Sequence, residues 1–270
     1  MGRVKKTVIR VVALDMIFLL MIILSGAFSG ALSEVIYYSA YVLPLAAFVW
    51  LMRGEERASL SLRISRSDAA MCLPLAAPIT GVTICLSAIS AFLLSLVGME
   101  AAEPLAGSLF ELLILHALLP AVLEEALFRY VPLTLIAPHS KRSAVLISAL
   151  LFAAAHCNVA QIPYAFAAGI AFAVVDLAVG SILPSVALHL LNNLVSVLWL
   201  WEASASAARL SIAVCLAALV LVSALIVAIF RGRYAKKMTF LIDKDDKISI
   251  AREVWVFVTV CIVLALGALL

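Results

Sequence analysis

Apolar residues in this chain come in long, nearly uninterrupted runs, and a run long enough to cross a bilayer leaves few other folds open. A helix needs ~20 apolar residues to span the hydrocarbon, and lipid admits only structures that satisfy their own backbone hydrogen bonds. Candidate spans lie at about 8–28, 31–52, 69–97, 108–137, 144–158, 162–179, 182–201, 208–230 and 250–270. The fifth and sixth are short, with a boundary near Asn158 to Pro163. Pro74, Pro78, Pro120 and Pro132 can kink or break the long third and fourth. The expectation is an all-α, polytopic transmembrane helical bundle of eight or nine spans. With no linker long enough to separate two domains, 1–270 reads as a single integral membrane domain.

Composition agrees. Hydrophobic residues make up 66% of the 270 and charged residues 13%, where a soluble domain is about half apolar and a quarter charged. That balance excludes a water-soluble globule, a disordered chain, a disulfide-knit secreted module and a nucleic-acid binder. The five cysteines (Cys72, Cys85, Cys157, Cys215 and Cys261) lie in or beside apolar runs without paired spacing, and read as small buried hydrophobes. Gly26 and Gly30 in GAFSG match a small-residue packing pattern and read as close packing within the bundle.

Lysine and arginine set the orientation. Arg3, Lys5, Lys6 and Arg10 precede the first span; Arg53, Arg57, Arg63 and Arg66 follow the second; Lys141 and Arg142 follow the fourth. Another cluster, Arg231 to Arg252, follows the eighth. The intervening connections carry Glu34, Glu100, Glu103 and Glu202, with Arg209 the one basic exception. The N-terminus and the basic loops should therefore be cytoplasmic. The basic start and first apolar run resemble a signal peptide, but the run is too long for one and reads as an uncleaved anchor.

The informative residues are polar groups inside the spans: Glu124, Glu125 and Arg129 in LEEALFRY, His156 in LFAAAHCN, and His189, Asn192 and Asn193 in VALHLLNN. An ionised side chain near the bilayer centre costs ~2.5–3.5 kcal/mol even on insertion scales. Three on one helix approach a protein's whole stability margin unless paired or wet. Glu125 and Arg129 are four apart and can pair on one helix face. Glu124 is turned by about 100° from Glu125, into another sector, and is left for chemistry. His189 and Asn193 share the four-residue spacing, with Asn192 a nearby competitor; Phe152 can pack its ring beside His156.

At ~1.5 Å per residue, His156, His189 and Glu124 could converge in the inner or middle part of the membrane, nearer the cytoplasmic side and reached from the cytoplasm or from lipid. A carboxylate and an imidazole around one water form a general-base pair for hydrolysis. A second imidazole and an amide N–H can donate to the oxyanion on a scissile carbonyl. One glutamate and two histidines are also a legitimate zinc ligand set, although HExxH is absent. Each element alone has a structural reading: a salt bridge for Glu125–Arg129, a hydrogen-bonded core histidine for His156, interhelical polar glue for His189 and Asn193. Their coincidence on three spans favours a site. Asp15 and Asp176 read as isolated buried acids, His116 as a polar position in the fourth span, and His139 as a loop residue.

These residues, in this order and at these separations, resemble the CAAX prenyl protease and bacteriocin-processing (CPBP, or Abi) intramembrane endopeptidases, type II CAAX prenyl endopeptidases included. The resemblance covers roughly Leu112 to Val197, within a catalytic core of about 108–201, and includes the small residues around Gly169 and the Gly180–Ser181–Ile182 turn. Tyr130 departs from it, standing where a small residue commonly follows the arginine. The resemblance implies that Glu124 and His156 activate water, that His189 and Asn193 stabilise the oxyanion, and that Glu125, Arg129 and Phe152 support them. Family members are described both as metalloproteases and as glutamate proteases needing no cofactor. A divalent metal such as zinc, held by Glu124, His156 and His189, therefore stays open. The implied partners are the lipid bilayer and a membrane protein or peptide substrate, prenylated ones among them, and no nucleic acid. Two other readings use the same residues: an ion-coupled secondary transporter, against which no internal repeat is visible, and a catalytically silent immunity or scaffold protein of the same fold.

Overall fold

The computed structural model describes residues 2–53, 60–99, 107–201, 206–243 and 246–267. Among them every regular element is helical, and the one β-type contact is an isolated bridge between Ser61 and Ser181. The apolar runs become helices at nearly the expected positions. The first two, α1 (Gly2–Ser25) and α2 (Gly30–Leu51), pack as a hairpin. Gly26 and Gly30 belong to the turn between them and not to a helix–helix seam. Gly30 has φ 62°, a left-handed conformation that glycine adopts without a Cβ penalty.

The third run is broken where Pro74 removes a helical N–H: α3 (Arg66–Cys72), a 3₁₀ turn at Leu73–Leu75, then α4 (Ala76–Ser95). The fourth is one continuous rod with two wide turns. It runs through α5 (Leu109–Leu112), a π segment at Leu113–Leu118, α6 (Leu119–Glu125), a second π segment at Ala126–Tyr130 and α7 (Val131–Ile136). Next come α8 (Lys141–Ala155), α9 (Ile162–Val179), α10 (Leu183–Trp201), α11 (Ser206–Ile229), α12 (Arg231–Lys237) and α13 (Arg252–Gly267).

Four described helices are long and apolar enough to cross a membrane: Lys5–Ser25, Gly30–Leu51, Arg66–Ser95 and Ile162–Val179. A fifth arises if Val214–Ile229 and Arg231–Lys237, bent by 75° at their junction, count as one span. The expected eight or nine are not reached on this measure, for a physical reason. The fourth run is divided by its π turns, and α8, with 15 residues, is only about 22 Å long against a hydrocarbon thickness of ~30 Å. Large apolar side chains such as Leu20, Trp50, Phe92, Leu96 and Leu221 face outward. In water they would form an aggregation-prone surface; in lipid they are the expected boundary of a membrane protein. Cys85 and Cys215 share this outer surface, contrary to the expectation of burial, while Cys72 and Cys261 are buried and Cys157 half-buried. In lipid an apolar pattern does not separate inside from outside.

The core lies among α1, α7, α8, α9 and α13. The α8–α9 contact is its tightest: a Cβ added at Gly169 would lie 3.0 Å from the Ala149 Cα. Only a glycine lets these two backbones approach so closely.

Candidate active site

The site begins with a proline. Pro132 has no N–H to give to the carbonyl four residues back, that of Phe128, and the Ser148 hydroxyl of α8 donates to that carbonyl instead. The wide π turn at Ala126–Tyr130 lies on this same stretch, directly after Glu125, and such turns are frequent at functional sites. Glu125 and Arg129 are fully buried. Arg129 Nε lies 3.4 Å from Glu125 Oε2, the pair that the four-residue spacing suggested. The guanidinium sits 3.8 Å over the Phe152 ring and 5.7 Å from that of Phe172, so aromatic faces supply much of its surroundings.

His189 completes this buried layer. Its Nδ1 is 2.7 Å from Glu125 Oε1, a contact across 64 residues. A carboxylate already facing Arg129 accepts here, so Nδ1 carries the donated hydrogen and Nε2 is the other ring nitrogen. Nε2 lies 3.8 Å from Glu124 Oε2. The imidazole is stacked on Phe172 at 5.4 Å and meets Phe152 edge-on. Asp176, also fully buried, accepts from the Ser185 backbone N–H at 3.0 Å. It thereby caps the first turn of α10, the helix that carries His189.

Above the layer lies a cavity of about 610 Å³. Glu124, His156, His189, Asn192, Asn193 and Phe152 all line it. Glu124 therefore does face a different sector from Glu125. His156 ends α8 and its Nδ1 is 2.8 Å from the Phe152 carbonyl, one of the last-turn carbonyls a helix leaves unsatisfied. An acceptor carbonyl there assigns the hydrogen to Nδ1 and leaves a lone pair on Nε2. Phe152 packs edge-on against His156 at 4.8 Å, as the spacing predicts. Cys157, next along, adopts φ 45°, a left-handed conformation that ends the helix.

Several expectations are refined by contacts distant in sequence. Asn192 has its Oδ1 held by the Thr83 hydroxyl of α4 at 2.7 Å, so of the two asparagines Asn192 is the one tied to another helix. The Tyr41 hydroxyl of α2 lies 3.5 Å from Glu124 Oε1, and Tyr37 and Tyr38 line the same cavity. Neither tyrosine nor threonine signals itself in sequence, because a hydroxyl in an apolar run is common and its partner lies 83 or 109 residues away. Tyr130 packs on Phe48 at 6.0 Å and is not among the cavity-lining residues. His116 lines the cavity as well; His139 is exposed in the turn after α7. Among the described residues no group of three or more His, Cys, Asp and Glu side chains is arranged to hold a metal ion. Glu124, His156 and His189 share a cavity without forming such a set.

An acid, two imidazoles and an amide from three helical runs of one apolar bundle, facing a common cavity over a buried ion pair, define a membrane-embedded polar site. Residues 106–195 match the family model described as Rce1-like, Type II CAAX prenyl endopeptidase Rce1-like. That stretch is a third of the chain and holds every motif residue, and the match supports the resemblance to the CAAX protease (CPBP) family that the motifs carry. No curated protein and no solved structure matches the chain.

Proposed function

We propose that this protein is an intramembrane endopeptidase that hydrolyses a peptide bond in a membrane-associated protein or peptide. Eight or nine helical runs would cross or enter the bilayer, with the N-terminus cytoplasmic. The observation that carries the reading is the shared cavity of Glu124, His156, His189 and Asn193, within the segment matched by a CAAX endopeptidase family. Glu124 and the free Nε2 of His156 take a proton from water as its oxygen attacks the scissile carbonyl carbon. With both ring nitrogens protonated, His189 donates Nε2–H to the resulting oxyanion, and Glu125 carries the counter-charge. The Asn193 amide gives a second donor. Collapse of the tetrahedral intermediate breaks the C–N bond, and the proton held by the base pair passes to the leaving amine. Glu125, Arg129 and Phe152 act by holding these groups and not by touching substrate. No step is routed through a metal; a divalent ion such as zinc, held by Glu124, His156 and His189, is the alternative that the chelator arm below tests.

The test is hydrolysis by the purified protein in detergent, with farnesylated CAAX peptides and unmodified membrane peptides offered in parallel and a strong zinc chelator in one arm. Cleavage that survives the chelator and is lost in Glu124→Ala, His156→Ala and His189→Ala supports the reading. Cleavage that persists in Glu124→Ala overturns the assignment of the base. Proton-coupled uptake into liposomes with no peptidase activity would favour a carrier.

A further inference from the structure

The two ends of the bundle differ, and the difference says from which side the cavity is reached. One end is laced together. Lys5 pairs with Glu253 at 3.8 Å and Lys237 with Asp68 at 2.7 Å. The backbone N–H of Arg142 donates to Asp246 at 3.0 Å, and the Tyr234 hydroxyl to the Met71 carbonyl at 2.7 Å. The Ser61 N–H donates to the Gly180 carbonyl and the Ile182 N–H to that of Ser61. These contacts gather the start of α1, the segments before α3 and α8, the α9–α10 turn and the stretch from α12 to α13. They are the connections that hold the chain's basic clusters, and the lysine and arginine bias makes that end cytoplasmic.

The cavity opens at the other end. Its outer wall is built from Ser33 and Glu34 in the first turns of α2, His116 early in the fourth run, Ala155 and His156 at the end of α8, and Gln161 at the entry to α9. Exposure falls steadily inward. Glu34, Tyr37 and His116 are exposed, Glu124 and His156 half-buried, and Glu125, Arg129 and Asp176 fully buried. Beneath them Val11, Leu133, Ile136 and Ile147 close the bundle toward the basic end. The site is a well with a charged floor and an apolar base.

We propose that the site is served from the non-cytoplasmic side, and that its substrate is a peptide segment presented on that side of the bilayer. This replaces the expectation of a site nearer the cytoplasm, and it rests on the peptidase reading only for what happens to the segment. The helix-length depths behind that expectation measured distance along each helix and left open which side the groups are reached from.

The test uses the full chain with its five cysteines replaced and a single cysteine returned at Ala155→Cys or Gln161→Cys in the cavity, or at Ala235→Cys at the laced end. A membrane-impermeant maleimide is applied to right-side-out and to inverted vesicles. The expected result is labelling of the two cavity positions in right-side-out vesicles and of position 235 in inverted vesicles alone. Labelling of 155 and 161 only in inverted vesicles, or in neither preparation although the same cysteine labels after detergent solubilisation, overturns the proposal, and labelling of the 235 variant in inverted vesicles alone fixes which end of the bundle is cytoplasmic. Sorted proteoliposomes offered a peptide on one side separate this from the functional reading. Cleavage only from the side that labels 235 defeats the sidedness and keeps the peptidase. Correct labelling with no cleavage from either side keeps the sidedness and defeats the peptidase.

Discussion

Glu124 and Glu125 are consecutive residues on one helix, yet they belong to two regions with different physics. Glu125 is part of the floor, fully buried between Arg129 and His189. Glu124 is in the cavity, partly exposed and within reach of Tyr41 and the Nε2 of His189. A step of one residue turns a helix by about 100°, and here that step separates a charge held between fixed partners from one that faces the cavity, the one the proposed reading uses for chemistry. In the floor a charge persists because its partners are fixed; in the cavity, on the proposed reading, it can act because its partners are few. Variants of the floor should act on stability, and variants of the cavity on turnover.

The largest effect is expected at Glu124. Glu124→Gln should lower kcat by about 10²–10⁴-fold, the range for a general acid or base, while the thermal midpoint in detergent stays where it was. A loss of stability instead would erase the distinction between the two carboxylates. Next is Arg129→Met, which removes the guanidinium partner of the fully buried Glu125 and should cost about 3–5 kcal/mol of stability. Adding Glu125→Leu should recover much of that stability without recovering activity, because His189 then lacks its Nδ1 acceptor. Chemical denaturation of the single and double variants measures both. Ser148→Ala leaves the Phe128 carbonyl without its donor and should cost about 1–3 kcal/mol. The smallest effect is expected for Tyr41→Phe: a fall in kcat of about fivefold, equivalent to ~1 kcal/mol, with stability unchanged. A larger loss at Tyr41 than at Glu124 would make the tyrosine the proton carrier and rearrange the cavity's roles.

The helical runs were legible because lipid demands long apolar stretches, and α1, α2, α9 and α10 lie within a few residues of the spans read from composition alone. The local pairs were legible too. Glu125–Arg129 and Phe152–His156 each sit four residues apart, so helix geometry alone brings them together. What sequence did not reveal depends on which helix stands beside which. The His189–Glu125 bond, the Tyr41–Glu124 contact and the Thr83–Asn192 bond each join side chains more than sixty residues apart. The π turns escaped notice because Pro132 marks a broken hydrogen bond without saying whether a kink, a wide turn or a neighbouring serine absorbs it. Gly26 and Gly30 misled for a similar reason: a small-residue pair serves a seam or a turn equally well, and φ at Gly30 decides for the turn.

Three of the cavity's tyrosines, Tyr37, Tyr38 and Tyr41, come from α2, which lies outside the segment that matches the endopeptidase family. On the proposed reading, the hydrolytic groups and this part of the cavity wall are thus encoded in separate stretches of the gene. Mutation in that one peripheral helix can then retailor what the pocket admits while the motif residues stay as they are, provided Tyr41 keeps its contact with Glu124, so relatives with the same motifs need not share a diet.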